Sequence, residues 1–336
     1  MELHNKKEIM QTAIAYNGTQ VKKGGTKEDI KKGFKLWLDL VDPSPTEISE
    51  IKKTYNLDGS ALETLIHKSK KPQVRVLENH KFTIILDIRY KTFKNLVTES
   101  IYLFHSTEWL ITIHSENIDL MTNVQLLFEQ KNKKVMEATI DALYYNILTE
   151  ITGRYELLLT SIELAISDFG QRSLTKRATN KILEQLDTLT RQIILLRRHF
   201  WKTREIMNFL THIEQDKDEI IYLQIAHDNI DDLIELVESF RDTINSTRDL
   251  YMASISVQMN DTMRILTIFT AILLPLTLIP GIYGMYALDL TKIGSIPTGF
   301  LIVVFMMIIM ATILFLFFKQ KQWIMSRDND QTVQEE

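Results

Sequence analysis

The sequence predicts an α+β cytoplasmic domain with long stalk helices, followed by two transmembrane helices. Short alternating apolar runs fill roughly the first third of the chain, where strands and short helices are expected. No glycine or proline occurs between Gly170 and Pro275, which favours long helices. Residues 265–283 and 300–318 carry no charge, and each stretch is long enough to cross the roughly 30 Å core of a bilayer as a helix.

The composition excludes several classes of protein. The chain has 336 residues, a net charge of −4 and no cysteine. The absence of a basic surplus argues against a nucleic-acid partner, and the absence of cysteine excludes disulfides and thiolate metal sites. The polar residues 1–33 do not resemble a signal peptide, and their charged, glycine-containing end predicts a mobile tail. We therefore expect residues 34–263 to form the ordered cytoplasmic part.

The α+β part is predicted from alternation and helix-start signals. The alternation of Phe34, Leu36, Leu38 and Leu40 with polar neighbours and Trp37 predicts a half-buried strand. Ser44-Pro45-Thr46-Glu47 places proline in the first turn of a helix. Further elements are expected at residues 59–67 (a helix), 74–77 and 82–89 (a hairpin), and 101–104 and 109–113 (strands).

Three long helices should follow, at residues 135–169, at 174–213, and from 216 through the first membrane span. Along the third, residues that are not large aliphatics recur at every seventh position, beside an apolar stripe spaced by three and four. This column consists of Asp228, Glu235, Asp242, Asp249, Ser256, Met263, Thr270, Thr277 and Gly284. A strict seven-residue repeat stays on one face only if the helix supercoils with others, so the column predicts association.

Within the first span, Thr267, Thr270 and Thr277 give one face of the helix smaller and more polar side chains than a lipid-facing surface usually has. We expect this face to contact protein or water. The alternative is that each threonine bonds back to its own helix and packs against a neighbour. Two spans cannot enclose a transport pathway by themselves, so such a function would need several copies around an axis.

The basic residues predict the orientation of the two spans. Arg264 precedes the first span, and Lys319, Lys321 and Arg327 follow the second, whereas the loop at residues 284–299 has no basic surplus. By the positive-inside rule, both termini are cytoplasmic and the loop is outside. This predicts a multi-pass protein of the cell (inner) membrane, with a membrane domain at residues 264–326 and a polar tail at 327–336.

No catalytic motif is present. The sequence has no phosphate-cradling glycine loop, no Gly-x-Ser-x-Gly and no His-Glu-x-x-His, and its eight histidines lack metal-ligand spacing. We therefore predict that the protein is not an enzyme and uses no organic cofactor.

Three motifs identify a family resemblance. Met263-Arg264-Ile265-Leu266-Thr267, Leu274-Pro275-Leu276-Thr277 and Gly281-Ile282-Tyr283-Gly284-Met285, followed by a short loop, a second span and a basic tail, resemble the CorA family of magnesium and divalent-cation channels. The resemblance implies a homopentamer in the lipid bilayer, with Mg²⁺ as transported and regulatory ion and Co²⁺ as a further cargo. It places a set of side chains along the pore: Asn260, Met263, Leu266, Thr267, Thr270, Leu274 and Thr277.

The outer mouth departs from the family signature, which is Tyr-Gly-Met-Asn. Here Gly284 and Met285 are followed by Tyr286. In the resembling family the asparagine amide oxygens hold hydrated magnesium, which suits an ion that gives up its waters reluctantly. A phenol is bulkier and offers one hydroxyl, so loss of selectivity, a change of ion and loss of conduction are all open.

The resemblance also implies cytoplasmic metal ligands. Asp228 matches a regulatory carboxylate of the family, and Asp249 lies in the stalk, although Asp228 can equally be an ordinary solvated acid. Three functions therefore stay open at this point. They are a channel for Mg²⁺ and Co²⁺ gated by cytoplasmic Mg²⁺, a relative that transports another ion such as Zn²⁺, and a non-conducting membrane-anchored sensor or scaffold.

Overall fold

The computed structural model describes residues 11–92, 95–116, 118, 120–130, 133–175, 180–283, 299–321 and 323. The chain divides into two compact units, Met1–Arg248 and Asp249–Glu336. The strands are β1 (Gln11–Tyr16), β2 (Val21–Lys23), β3 (Lys35–Val41), β4 (Gln73–Val76), β5 (Lys81–Thr92), β6 (Asn95–His105) and β7 (Trp109–His114). The helices are α1 (Lys27–Ile30), α2 (Pro45–Tyr55), α3 (Gly59–Ile66), α4 (Leu120–Glu129), α5 (Lys133–Glu137), α6 (Ile140–Thr175), α7 (Asn180–Ile213), α8 (Lys217–Tyr283) and α9 (Gly299–Gln320).

The described strands form one sheet in the order β2-β1-β3-β7-β6-β5-β4. β3 and β7 run parallel, and the other neighbouring strands are antiparallel. The predicted hairpin is confirmed as the antiparallel pair of β4 and β5. The predicted strands at 101–104 and 109–113 are confirmed as parts of β6 and β7.

One face of the sheet packs on α2 and α3. Leu36, Leu38 and Leu40 of β3 share a buried cluster with residues of both helices. The start of α2 is fixed as the sequence predicts: the backbone N–H of Ser44 donates to Glu47 Oε2 at 2.7 Å, and Ser44 Oγ accepts from the backbone N–H of Glu47 at 3.4 Å. These two reciprocal bonds satisfy donors that a helix start would otherwise leave unpaired.

The other face of the sheet is also covered, so the expectation that β3 is half-buried is wrong. Trp37 and Asp39, which point away from α2 and α3, are both buried. The Trp37 ring lies 5.9 Å from that of Phe128 in α4, and Thr83 Oγ1 of β5 lies 2.5 Å from the Tyr144 hydroxyl of α6. Helices that come later in the chain therefore supply the second layer.

The expected mobile tail at residues 1–33 is wrong from Gln11 onward, and residues 1–10 lie outside the described part. β1 pairs with both β2 and β3. The glycines that suggested mobility serve a tight turn and a close approach instead. Gly24 has a φ of +74°, and a Cβ on Gly25 would lie 2.7 Å from the Cβ of Ala15.

The long helices are confirmed, with shifted boundaries. α6 begins at Ile140, after the separate short helix α5, and extends to Thr175. α8 includes both the stalk and the first span, with Pro275 and Pro280 inside it. Among the described residues, two helices contain a stretch long and apolar enough to cross a membrane, and these stretches lie within Glu219–Ile282 and Leu301–Gln320.

A buried polar network joins β3, β7 and α4. The indole N–H of Trp37 donates to Thr112 Oγ1 at 3.2 Å, and the Thr112 hydroxyl donates to Asp39 Oδ1 at 2.5 Å. Gln125 Nε2 donates to Asp39 Oδ2 at 3.2 Å, and His114 Nε2 lies 3.2 Å from Asp39 Oδ1. Burial opposes the charged form of His114, but the hydrogen bond and charge of Asp39 outweigh it and raise the pKa of His114. The Asp39 carboxylate is thus held by three side chains.

Replacing Thr112 with valine should destabilise the first unit, Met1–Arg248. The change keeps the shape but leaves the Trp37 N–H without its acceptor and removes one of the two partners of Asp39 Oδ1. This costs about 1–3 kcal/mol and lowers the melting temperature by roughly 2–12 °C. Near-UV circular dichroism of the purified protein measures the melting temperature. Thr98→Val, at a half-exposed position of β6, is the control, and equal melting temperatures for the two variants would contradict this account.

Candidate functional site

The predicted pore-facing residues all lie on uncovered parts of α8. Asn260 and the three threonines are exposed, and Met263 and Leu274 are 57% and 69% exposed. Leu266 is likewise exposed. Residues on roughly the opposite side of the helix are half-covered, namely Arg264, Ile268, Ala271, Pro275 and Ile279. Within this chain, the face that carries the column is therefore free of contacts that would hide it.

The threonine hydroxyls on this face bond back to their own helix, as the alternative interpretation of the sequence allowed. Thr267 donates to the carbonyl of Met263 at 2.8 Å, Thr270 to that of Leu266 at 2.9 Å, and Thr277 to that of Leu274 at 2.9 Å. A hydroxyl that donates its proton inward keeps its oxygen lone pairs as acceptors. The bonds therefore fix each oxygen as an acceptor on the helix surface, which suits donors such as the waters of a hydrated cation.

The N-terminal end of the apolar part of α8 carries polar and charged groups. Asn260 is exposed, and the guanidinium of Arg264 lies 3.0 Å from Asp261 Oδ1, one helical turn away. This pair compensates the charge of Arg264 beside the first residue of the apolar run. The amide of Asn260 is left as a neutral polar group at this end.

The predicted outer mouth lies outside the described residues. Gly284, Met285 and Tyr286 fall in the stretch 284–298, of which the structure describes nothing. The role proposed for these three residues therefore rests on the sequence alone.

The two predicted metal ligands are on α8 but are not brought together. The Asp228 side chain is 81% exposed, and His227 Nδ1 lies 3.5 Å from its Oδ1. Asp249 is also exposed. Among the described residues, neither takes part in a group of three metal-ligating side chains. A metal at either residue would need ligands from elsewhere, such as a second copy of the chain.

A carboxylate cluster that the sequence did not predict lies where α6 starts and α7 gives way to α8. Oxygen atoms of Asp141, Glu214 and Glu219 all lie within 4.8 Å of one another. Asp141 is far in sequence from Glu214 and Glu219, and the three share no motif. Only the fold brings them together, so spacing in the sequence could not have shown the cluster.

Side chains of the sheet already contact this cluster. Lys81 Nζ lies 3.5 Å from Asp141 Oδ1 and 3.9 Å from Glu214 Oε2, and His105 Nε2 lies 3.0 Å from Asp141 Oδ1. Burial would raise the pKa of Asp141, but His105 and Lys81 outweigh it and lower that pKa. Lys81 and His105 therefore join β5 and β6 to the helical segments that carry the cluster.

Two further bonds complete the cluster. The hydroxyl of Thr139 donates to Glu219, and that of Tyr145 donates to Glu214. With these donors in place, the carboxylates have partners from the protein itself. The geometry supports a structural role here and leaves the uncovered face of α8 as the candidate functional surface.

Known proteins resemble this chain along most of its length. A family model described as CorA-like Mg²⁺ transporter protein matches residues 33–320. The "Cobalt/magnesium transport protein CorA" of Thermotoga maritima is 24% identical over 86% of this chain and 83% of its own length. The protein of the same description from Methanocaldococcus jannaschii is 24% identical over 94% of this chain and 100% of its own.

A solved structure shares the fold. It is described as the complete structure of the CorA magnesium transporter from Methanocaldococcus jannaschii, and it superimposes with a TM-score of 0.80. The match covers 93% of this chain and 98% of the other at 24% identity. The predicted architecture, an α+β soluble domain with long helices and two candidate transmembrane helices, is thereby confirmed.

Proposed function

The chain belongs to the CorA-like Mg²⁺ transporter family, and we propose that it is a channel that moves Mg²⁺, and also Co²⁺, across the cell membrane. Relatives along nearly the whole chain are described as cobalt/magnesium transport proteins. Membership in a family of transporters also means that the protein is not an enzyme, as the sequence predicted. The observation that carries the proposal is the uncovered threonine face of α8, whose hydroxyl oxygens are fixed as acceptors.

The transport pathway is proposed to lie on the axis of a homopentamer. One chain contributes two candidate membrane helices, which cannot surround a pore. Copies of α8 arranged about an axis would place Asn260, Met263, Leu266, Thr267, Thr270, Leu274 and Thr277 toward the centre. The seven-residue column supports this arrangement because a strict repeat of that length requires supercoiling with partner helices.

The ion is proposed to travel with its waters. Mg²⁺ dehydrates reluctantly, and the hydroxyl oxygens of Thr267, Thr270 and Thr277 can accept hydrogen bonds from a hydration shell. Met263, Leu266 and Leu274 alternate with them and narrow the path with apolar side chains, which can gate by excluding water. The face thus combines weak polar contacts, which let an ion leave, with apolar constrictions.

Closure is proposed to depend on cytoplasmic Mg²⁺ bound between protomers by Asp228 and Asp249. Both side chains are exposed on α8, and among the residues described neither belongs to a group of three metal-ligating side chains. If neighbouring copies bring such carboxylates together, loss of the ion leaves like charges facing each other, and their repulsion would separate the stalks. Mg²⁺ would then be both cargo and regulator.

The orientation and the outer mouth complete the proposal. Both termini are cytoplasmic, because basic residues lie before the first span and after the second. The loop at 284–299 is outside, with Gly284, Met285 and Tyr286 at the mouth. Tyr286 replaces the asparagine of the family signature, and this substitution favours a second candidate, a relative that transports another divalent ion such as Zn²⁺. A non-conducting sensor or scaffold is the third outcome of the same experiment.

Purified protein in liposomes loaded with a metal-sensitive dye tests the function. We expect uptake of Mg²⁺ and Co²⁺ down their gradients, with Zn²⁺ slower, and no uptake in empty liposomes. Faster Zn²⁺ uptake would support the second candidate instead. Absence of flux for all three ions from a correctly assembled protein would reject both channels and leave the scaffold.

Thr277→Leu should block Mg²⁺ flux while leaving assembly intact. The variant removes an acceptor from the proposed path and adds apolar bulk to it. Thr312→Leu is the matched control, because the Thr312 hydroxyl in α9 also bonds back to its own helix, at 2.7 Å to Ile308. Flux in liposomes and the pentamer mass by native mass spectrometry are measured together. Equal flux in the two variants would place Thr277 off the path.

Tyr286→Asn should raise Mg²⁺ uptake and its discrimination against other cations. The amide would supply an oxygen and donors that hold the waters of the ion more firmly than a single phenol hydroxyl does. Tyr286→Phe, which removes only the hydroxyl, is the control and should not show the gain. Competition curves for wild type and Tyr286→Asn that coincide would mean that Tyr286 does not line the mouth.

A further inference from the structure

A basic cleft lies between helix α7 and strand β4, within the first unit. It encloses about 710 Å³, which is in the range of small-molecule sites. β4 is the terminal strand of the described sheet and pairs only with β5 there, so backbone groups on its other edge are free to meet a ligand. The cleft is far in sequence from the membrane spans and takes no part in the proposed ion path.

The lining of the cleft has a strong positive charge. Its cationic members are Lys70 and Lys71, which precede β4, and Arg198 and Lys202, which are four residues apart on α7. Glu205 is the only acid among the described lining residues, and it pairs with Lys202 at 2.7 Å. Four cations and one carboxylate leave three positive charges. A single phosphate would leave part of this charge unbalanced, whereas a polyphosphate chain would match it.

The cations are placed to act together on a chain of phosphates. Lys70 Nζ donates to the carbonyl of Thr98 at 2.7 Å, which holds its ammonium group in place while two further N–H groups stay available. Burial first, and the charge of Arg198 second, lower the pKa of His199. At neutral pH this imidazole therefore adds a hydrogen-bonding nitrogen and no charge.

The cleft also has an apolar end. Phe209 is 42% exposed, and Ile206, three residues earlier on the same face of α7, is buried beneath the cleft. Seven residues separate Lys202 from Phe209, or roughly 10 Å along the helix. Charge at one end and an exposed aromatic ring at the other is the arrangement that holds a phosphate chain and a stacked base.

We propose that this cleft binds a nucleoside polyphosphate, with Lys70, Lys71, Arg198 and Lys202 on the phosphates and Phe209 against the base. The inference goes beyond ion transport and does not rest on it. The guanidinium of Arg198 can hold phosphate oxygens in pairs, and the lysines act as point charges. Binding at this place would give the cytoplasmic unit a contact with the nucleotide pool.

Titration of the purified full-length protein with a fluorescent analogue of ATP, mant-ATP, tests the proposal, with EDTA present to remove divalent cations. We expect saturable binding that unlabelled ATP displaces, inorganic tripolyphosphate displaces more weakly, and inorganic phosphate does not displace. The double variant Lys71→Gln, Arg198→Gln should weaken binding roughly tenfold or more, because it removes two charge-assisted contacts. Arg191→Gln, an exposed arginine of the same helix outside the cleft, is the matched control and should bind as wild type.

Phe209→Ala separates the two ends of the site. It should weaken the binding of ATP severalfold and leave that of tripolyphosphate unchanged. Near-UV circular dichroism and native mass establish that each variant is folded and assembled. Binding that is unchanged in the double variant, or weakened equally by Arg191→Gln, would overturn the proposal. Equal affinity for ATP and tripolyphosphate, unaffected by Phe209→Ala, would overturn the nucleoside part as well.

Discussion

The structure depends on one helix, α8, which must be stable in water along its first half and in the hydrocarbon core of a membrane along its second. In its first half, Leu223, Ile230 and Val237 are buried within the soluble unit, and ion pairs of Arg197 with Glu238 and Arg204 with Asp231, at 2.8 and 2.7 Å, tie it to α7. In its second half the side chains are apolar and exposed, so the backbone must satisfy its own polar groups. The polar side chains there obey the same rule, since the threonine hydroxyls donate to carbonyls of their own helix.

Much of the architecture can be predicted from the sequence because the elements depend on residues that are close together in the chain. The start of α2 follows from Ser44 and Glu47, and the length of α7 follows from the absence of glycine and proline within it. The burial of β3 on both faces could not be predicted, because Asp39 looks like a solvent-facing residue until Thr112, His114 and Gln125 are known to satisfy it. Likewise, the glycines before α1 suggest mobility unless the packing of Gly25 on Ala15 is seen.

The candidate sites also divide into one that the sequence predicts and one that only the folded structure shows. The exposed column on α8 follows from a repeat within one helix, whereas the cluster of Asp141, Glu214 and Glu219 forms only through long-range packing. Residue type alone would also have misjudged the cluster. Three acids close together suggest a metal, yet the ammonium group of Lys81 already lies 3.5 and 3.9 Å from carboxylate oxygens of two of them, Asp141 and Glu214. Asp228, by contrast, keeps an exposed side chain, and among the described residues only His227 is shown beside its carboxylate, so a metal there would need further ligands from a second copy of the chain.

The prolines of α8 make the mechanical properties of this helix uneven along its length. Pro275 and Pro280 have no backbone N–H, so the carbonyls of Ala271 and Leu276 lose their usual helical donors. The C-terminal turns of α8 are therefore more compliant than the proline-free turns before them, and bending there breaks fewer backbone hydrogen bonds. The last part of the helix can consequently change its direction at little cost, while the proline-free part before it keeps its shape.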